Sequence, residues 1–393
     1  MIQREAEKEF RILLGEYPVV TVLGPRQSGK TTLVQKCLPD YTYVSLEDPD
    51  TRELATSDPR AFLKRYENRV IFDEIQRAPE ILNYLQGIVD ESNEAGQFVL
   101  TGSHQLDLRV GVTQSLAGRT AILTLYPLTL SELAGAGFHF ESFEETLFQG
   151  TLPRVYDRGL RPGQMYGNYL QTYVERDVRQ IINLKDASLF QKFLTLLAGR
   201  VGQLVDFTSL GNDVGVNRTT IRDWISILEA SFIIYRLPPY FENFGKRVIK
   251  SPKFYFIESG LLCYLLGIEK ASQVTRDPLV GGLFENLVVI EALKARANQG
   301  KVPNLYFFRD SNGNEIDLLQ GMTRELTGIE IKSAATYNRA FKKGLIQFDQ
   351  KTHSLARKFI VYNGQEMDVG DGIQAIDYRK VGSIFGQDER GQS

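Results

Sequence analysis

Val19-Val-Thr-Val-Leu-Gly24-Pro-Arg-Gln-Ser-Gly29-Lys30-Thr31-Thr32-Leu33 joins an apolar, β-branched pentapeptide to a glycine-containing turn, and the turn to a helix-forming run that ends near Cys37. Five such residues in a row are the pattern of a strand buried on both faces of a parallel sheet. Gly24 to Thr31 match G-x-x-x-x-G-K-[ST], which composition alone produces in roughly one chain in a hundred of this length. The entering strand and the departing helix give the match its meaning. Glycines let successive backbone N–H groups curl around phosphate oxygens, and the start of a helix adds partial positive charge. The spacing predicts a phosphate cradle over Gly24, Pro25, Arg26, Gln27, Ser28, Gly29, Lys30, Thr31 and Thr32, with ATP as its ligand. Lys30 is expected to bridge the β- and γ-phosphates, and the Thr31 hydroxyl to ligate Mg2+. The plainer alternative is a tight turn with a solvated lysine.

Further apolar runs follow at Tyr41–Leu46, Val70–Phe72, Phe98–Thr101 and Ala121–Leu125, with helix-period segments such as Pro79–Glu94 between them. This alternation predicts an α/β layered domain with a parallel sheet over residues 1–135. A glycine-containing, acidic stretch at Ala134–Glu145 reads as the loop that leaves it. Val70-Ile-Phe runs into Asp73-Glu74, so a buried strand delivers two acids at its C-terminal end, where open α/β sheets bind ligands. Asp73 is expected to hold Mg2+ through water and Glu74 to polarise the attacking water. Thr101 and Ser103, after the next strand, are candidates for positioning that water or touching the γ-phosphate. Arg119, in Ser115-Leu-Ala-Gly-Arg, is a candidate for completing a neighbouring subunit's site, or for an ordinary ion pair.

The 393 residues include 46 basic and 48 acidic ones, a net charge of −2. That balance excludes bulk electrostatic coating of nucleic acid, so any such contact needs a local patch. Hydrophobic content of 42% with 24% charged residues excludes disordered, collagen-like and coiled-coil classes. Cys37 and Cys263 form neither a disulfide framework nor a zinc set. A charged N-terminus and no apolar run of spanning length predict a cytoplasmic chain without a membrane segment.

Residues 160–260 read as a second domain. A helical pattern from Gln164 to Leu210 is followed by Phe207–Val214, a turn at Gly215-Val-Asn217, a helix at Arg218–Ala230, and β-rich runs at Ser231–Leu237 and Lys253–Ile257. Helix, turn, helix and β-ribbon is the order of a winged helix. Arg236, Lys246, Arg247, Lys250 and Lys253, with Tyr240, Phe241 and Phe244 interleaved and Glu242 the one acid, are expected to grip a DNA backbone. Arg218, Thr219, Thr220 and Arg222 are expected to meet a groove. A protein-packing role for this region is the competing reading.

Residues 275–385 change character again. A helix at Leu283–Ala297 precedes strands at Asn304–Arg309, Glu315–Gln320 and Gly328–Lys332, the first two joined around Asn312-Gly313. A helix at Asn338–Gln350 and a strand at Lys358–Tyr362 follow. Alternation puts Glu330 and Lys332 on one strand face, and a hairpin can bring Asp317 beside Glu330. Two acids and a lysine so placed can bind a divalent cation at Asp317 and Glu330 and activate water for phosphodiester cleavage. They can equally form a solvated face with a surface ion pair.

Gly24-Pro-Arg-Gln-Ser-Gly-Lys-Thr-Thr-Leu, Ile71-Phe-Asp-Glu-Ile-Gln, Leu100-Thr-Gly-Ser and Leu116-Ala-Gly-Arg, in this order, resemble the prokaryotic AAA-type ATPases. More closely, they resemble the subgroup whose C-terminal region is an endonuclease-like domain of unknown function. The likeness extends to Tyr173-Val-Glu-Arg-Asp177 and Phe254-Tyr-Phe-Ile-Glu-Ser-Gly-Leu-Leu. It implies a P-loop NTPase domain, a winged-helix-like domain and a restriction-endonuclease-like α/β domain. In the last, Asp317 and Glu330-Ile-Lys332 are similar to the signature of an acid followed by D/E-x-K, with Glu285 as the additional acid and Gln347 as a water-orienting group. The function expected is an ATP-gated switch acting on DNA or a protein–DNA complex, working as a homo-oligomer if Arg119 acts between subunits. An ATP-controlled endonuclease and a signalling or assembly ATPase that binds protein alone are the alternatives.

Overall fold

Val19–Leu23 forms β1, with all five residues buried, in a computed structural model that describes residues 2–92, 94–103, 115–174, 187–240, 251–321 and 325–386. It lies in a five-stranded sheet with β2 (Thr42–Ser45), β3 (Val70–Asp73), β4 (Phe98–Gly102) and β5 (Thr120–Thr124), in the order β2-β3-β4-β1-β5. Every pairing is parallel. The strands' C-terminal ends therefore share one edge. Because β4 sits between β1 and β3, Thr101 and Ser103 fall between the glycine-containing loop and the two acids. The helix Ala6–Glu16 adds Ala6 and Phe10 to the core of Val20, Val22, Leu33, Val34, Ile71, Val99 and Leu123.

The sheet belongs to a unit made of Met1–Leu128, Ala230–Phe232 and Ala297–Lys301. The rest of the chain forms a second unit, which holds the 160–260 and 275–385 regions apart from Ala230–Phe232 and Ala297–Lys301. There the helices Ala187–Ala198, Phe207–Val214 and Arg218–Ala230 precede an antiparallel pair, β6 (Ile234–Leu237) and β7 (Lys253–Phe256). Phe190 and Phe193 pack on Trp224 with ring centroids 5.4 and 5.2 Å away. A six-stranded mixed sheet follows, built from β8 (Leu305–Arg309), β9 (Glu315–Gln320), β10 (Leu326–Lys332), β11 (Leu355–Tyr362), β12 (Met367–Asp368) and β13 (Ile373–Asp377). Its order is β12-β13-β11-β10-β9-β8. The helix Lys343–Thr352 crosses between the parallel strands β10 and β11, and buries Leu345 and Phe348 against Ile316, Leu319 and Ile360.

Three local expectations change. Ala134–Glu145 is not one loop: the helix Leu130–Gly135 opens it under a capping box of Thr129 and Glu132, and the helix Phe143–Gln149 closes it. Ser and Thr three residues before Glu were the overlooked signal. Asn338–Gln350 is a short tight turn of helix, Arg339–Lys342, leading into Lys343–Thr352. The helical pattern from Gln164 is described as Pro162–Tyr169, a wider turn at Leu170–Val174, and Ala187–Ala198; Arg176, Asp177 and Arg179 lie outside the described residues. Among the described residues no helix is long and apolar enough to cross a membrane.

The motif around Glu258 has a packing explanation. Glu258 is buried and accepts hydrogen bonds from Thr151 N (2.8 Å), the Thr151 hydroxyl (3.1 Å), the Tyr166 hydroxyl (2.9 Å) and Gly260 N (3.2 Å). Burial pushes its carboxyl above the usual range, against the pull of Lys294. A Cβ on Gly260 would lie 2.1 Å from the Tyr166 ring, so this approach requires glycine. Gly260→Ala is expected to destabilise the protein by about 1–3 kcal/mol through overpacking. The urea midpoint should fall with its slope unchanged. An unmoved midpoint would mean that the ring shifts aside freely.

Candidate active site

Local backbone geometry builds the loop after β1. Gly24, Gln27 and Gly29 have φ of 155, 63 and 92°. A Cβ at Gly24 would sit 2.1 Å from the Leu125 carbonyl oxygen, so only glycine lets the loop pass the end of β5. Gly29 is the N-cap of the helix Lys30–Cys37. Lys30 is 6% exposed, and its Nζ donates to the Gly24 and Pro25 carbonyls at 3.0 and 2.9 Å. Burial pulls the ammonium down to about 8, with Glu74 and Asp73 opposing the shift. Arg26 lies 3.7 Å from Glu47, and Thr32 is exposed. Ser28 Oγ and Gln27 Oε1 are buried without a hydrogen-bond partner.

Asp73 gathers hydroxyls. Its carboxylate accepts from Thr31 at 3.0 and 3.2 Å, from Tyr43 at 2.6 Å and from Thr101. A buried carboxylate against a threonine hydroxyl at the start of a helix is a hard-oxygen donor set that suits Mg2+. Glu74 follows in a left-handed conformation (φ 57°), which costs about 1–3 kcal/mol for a residue with a Cβ. Its N–H donates to Thr101 Oγ1 at 3.3 Å, and its Oε2 accepts from Ser103 at 3.1 Å and from Gln76 Nε2. Gln76 Nε2 also lies 3.2 Å from Ser103 Oγ. The structure thus brings together Lys30, Thr31, Asp73, Glu74, Thr101 and Ser103, and adds Tyr43 and Gln76, which sequence reasoning did not single out. Gln76 stands two residues after Glu74; Tyr43 carries no comparable local signal.

Arg119 lies apart from this cluster. It precedes β5, whose Thr120 pairs with Val19, whereas the loop follows Leu23. The strands' length, about 16 Å at roughly 3.3 Å per residue, separates the two edges. Its guanidinium is bonded to Asp90 through two nitrogens, Nη2 at 2.9 Å.

In the second unit, Asp317 of β9 and Glu330 and Lys332 of β10 converge. Lys332 Nζ lies 3.1 Å from Asp317 Oδ2 and 2.8 Å from Glu330 Oε1, and the Ile331 N–H donates to Asp317 at 2.8 Å. Burial, then Asp317, push the Glu330 carboxyl up to about 8. Burial opposes the Lys332 ammonium, and the two acids more than offset it, holding it above its usual range. Glu285 is not bonded to Lys332. It accepts from Lys253 Nζ (2.9 Å) and the Tyr255 hydroxyl (2.6 Å), and Lys253 also meets Glu315 at 2.7 Å. Burial lifts Glu285 to about 7, with Lys253 opposing and Asp317 adding. Gln347 is half-buried on the helix Lys343–Thr352. Among the described residues no group of three or more His, Cys, Asp or Glu is arranged to hold a metal ion.

Lys253 corrects the reading of the basic segment. It is 3% exposed and tied to Glu285 and Glu315, so it is an internal counter-ion and grips no DNA backbone. Arg236 is likewise bonded to Glu229 and lies over the Phe254 ring at 5.5 Å. Burying the Lys253 charge requires paired partners, which Glu285 and Glu315 supply, whereas Arg236 is half-buried. Phe241, Glu242, Phe244, Lys246, Arg247 and Lys250 lie outside the described residues. Arg218, Thr219 and Arg222 are exposed on their helix, while Thr220 is half-buried with its N–H on Asn217.

Comparison with known proteins finds an AAA domain over the stretch that carries the loop and the two acids. A family model described as an AAA domain matches residues 16–134, and models described as domains of unknown function match residues 140–272 (DUF8612) and 280–381 (DUF4143). The uncharacterized protein Rv2008c of Mycobacterium tuberculosis is 31% identical over 396 residues, covering 98% of this chain and 86% of that protein. An uncharacterized protein of Haemophilus influenzae is 24% identical over 295 residues, covering 71% of this chain and 70% of its own. Among solved structures, the Walker-type ATPase PABY2304 of Pyrococcus abyssi is similar at 14% identity and a TM-score of 0.46, covering 67% of this chain and 96% of that one. With an AAA domain over residues 16–134 of its own sequence and a mycobacterial relative along nearly its whole length, the chain belongs to the AAA-type P-loop ATPases and shares a family with that relative.

Proposed function

We propose that the protein hydrolyses ATP at the loop Gly24–Thr32 and uses that reaction as a switch acting on DNA or a protein–DNA complex. The observation that carries the catalytic reading is the meeting of Lys30, Thr31, Asp73 and Glu74 at one sheet edge, with Glu74 held by Ser103. Lys30 exchanges its carbonyl partners for phosphate oxygens, and Thr31 with Asp73 hold Mg2+. The metal, when bound, neutralises phosphate charge. Glu74 accepts a proton from the attacking water, and Ser103 and Gln76 aim its carboxylate. Thr101 holds Asp73 and the Glu74 backbone together.

Arg119 lies at the strand end opposite its own loop, so any part it takes in hydrolysis is toward a second copy of the chain. Mixing Arg119→Ala with Lys30→Ala protein should then restore part of the lost turnover, since each supplies what the other lacks. A demonstrated mixed oligomer with no recovery would leave Arg119 as the partner of Asp90 and nothing more.

The winged-helix order and the exposed Arg218, Thr219 and Arg222 support DNA as the target. ATP turnover measured with and without duplex and single-stranded DNA tests this. Several-fold stimulation that fades with salt is expected. No stimulation and no salt-dependent binding would favour a protein target. A metal-dependent nuclease is a second reading, favoured by the Asp317–Glu330–Lys332 contacts. On it, Mn2+ raises the melting temperature of the nucleotide-free chain by mass action. Asp317→Asn should remove that shift and any DNA cleavage while leaving ATP turnover intact. A melting temperature indifferent to Mn2+ would reduce the three residues to an ion-pair cluster.

A further inference from the structure

Arg4 lies upstream of every motif, yet it is 8% exposed and reaches the phosphate loop. Its Nη1 donates to the Ser28 carbonyl at 2.7 Å, and its Nη2 to the Tyr126 carbonyl at 2.7 Å. Ser28 is inside the loop, and Tyr126 follows β5 (Thr120–Thr124) directly beyond Leu125. One planar guanidinium therefore ties the loop to the end of the strand against which Gly24 is already pressed.

Peptide geometry gives this contact a consequence. In a trans peptide the carbonyl and the following N–H point in opposite directions. With the Ser28 carbonyl drawn to Arg4, the Gly29 N–H of the same peptide faces the other way. Gly29 is the left-handed N-cap of the Lys30 helix, where N–H groups are aimed at an anion. Anchoring the N-terminal segment does not require the arginine, because Ala6 and Phe10 are fully buried in the sheet core.

We propose that Arg4 is a positioning residue for nucleotide binding: its two-pronged bond to Ser28 and Tyr126 sets the Ser28–Gly29 peptide in the orientation that receives phosphate. The inference rests on the ATP-binding reading above. Lysine cannot replace the arginine, since a single ammonium lacks the rigid fork that serves both carbonyls.

Titration of the full-length chain with fluorescent N-methylanthraniloyl derivatives of ATP and ADP, beside melting curves, tests it. Arg4→Met and Arg4→Lys should each raise Kd about tenfold for both nucleotides, the loss of a charge-assisted bond to the loop. Turnover at saturating ATP should fall by less than about threefold, because chemistry at Glu74 is untouched. Phe10→Leu serves as the control: it should lower the melting temperature and leave Kd where it was. If Arg4→Met does not fold, Arg4→Lys alone decides. Wild-type affinity in the folded Arg4 variants would overturn the inference and reduce Arg4 to an anchor. Wild-type protein that binds neither nucleotide would overturn the ATP reading itself, a result visible before any variant is made.

Discussion

Lys30→Ala is expected to reduce ATP turnover by about 10²–10³-fold, the scale for removing one preorganised charge from a phosphoryl-transfer site. Affinity for ATP should fall as well, by roughly 10–100-fold, because a charge-assisted bond to phosphate is lost. Neither described neighbour, Arg26 or Lys36, is placed to substitute, since Arg26 lies 3.7 Å from Glu47 and Lys36 3.3 Å from Glu7. Steady-state turnover together with direct nucleotide binding checks both effects. Undiminished turnover in a folded variant would remove the site assignment.

The same lysine sets a pH dependence. Its ammonium in the free protein is pulled down to about 8 by burial. Below that pH it is already charged, so ATP affinity should be flat. Above it, binding an anion requires proton uptake, and Kd should rise with pH by up to about tenfold per unit. The bound form holds its proton more tightly, so the slope fades at higher pH. Affinity independent of pH between 7 and 10, within about twofold, would mean that Lys30 stays charged throughout and that its burial carries no penalty.

Glu74→Gln should separate chemistry from binding. Glutamine preserves the shape and the contacts with Ser103 and Gln76 but cannot take a proton. Turnover should fall by about 10²–10⁴-fold, the usual contribution of a general base. ATP Kd should change by less than about threefold, because the loop, Thr31 and Asp73 are untouched. Loss of binding along with turnover would make Glu74 a structural residue. The left-handed backbone at Glu74 predicts that this substitution is no less stable than the wild type, since glutamine meets the same conformational cost.

Part of this site was legible in the sequence because its elements are local. The turn Gly24–Thr31 needs glycines at fixed offsets and a helix directly after it, and covalent neighbours supply both. Val70-Ile-Phe-Asp73-Glu74 declares a buried strand and its acids within five residues. The Asp317 and Glu330–Lys332 strands were readable because period-2 alternation and the Asn312-Gly313 turn are short-range signals too. Lys253 was misread as part of a basic patch for the opposite reason. Whether Lys253 faces solvent depends on Glu285 and Glu315, the farther of them 62 residues away (315 minus 253).

What the sequence by itself determined, then, is the identity of each local element: the loop, the acids at the end of β3, the hydroxyls at the end of β4 and the alternation in the last domain. The tertiary structure decided which of them meet. Inserting β4 between β1 and β3 puts Thr101 on Asp73 and Ser103 on Glu74, although they lie 28 and 29 residues apart. It placed Tyr43 on Asp73, Arg4 under Ser28 and Arg119 at the far edge of the sheet. The physical reason is that backbone conformation answers to near neighbours, whereas strand order and the pairing of buried charges answer to the packing of the whole core. No window of residues contains that information.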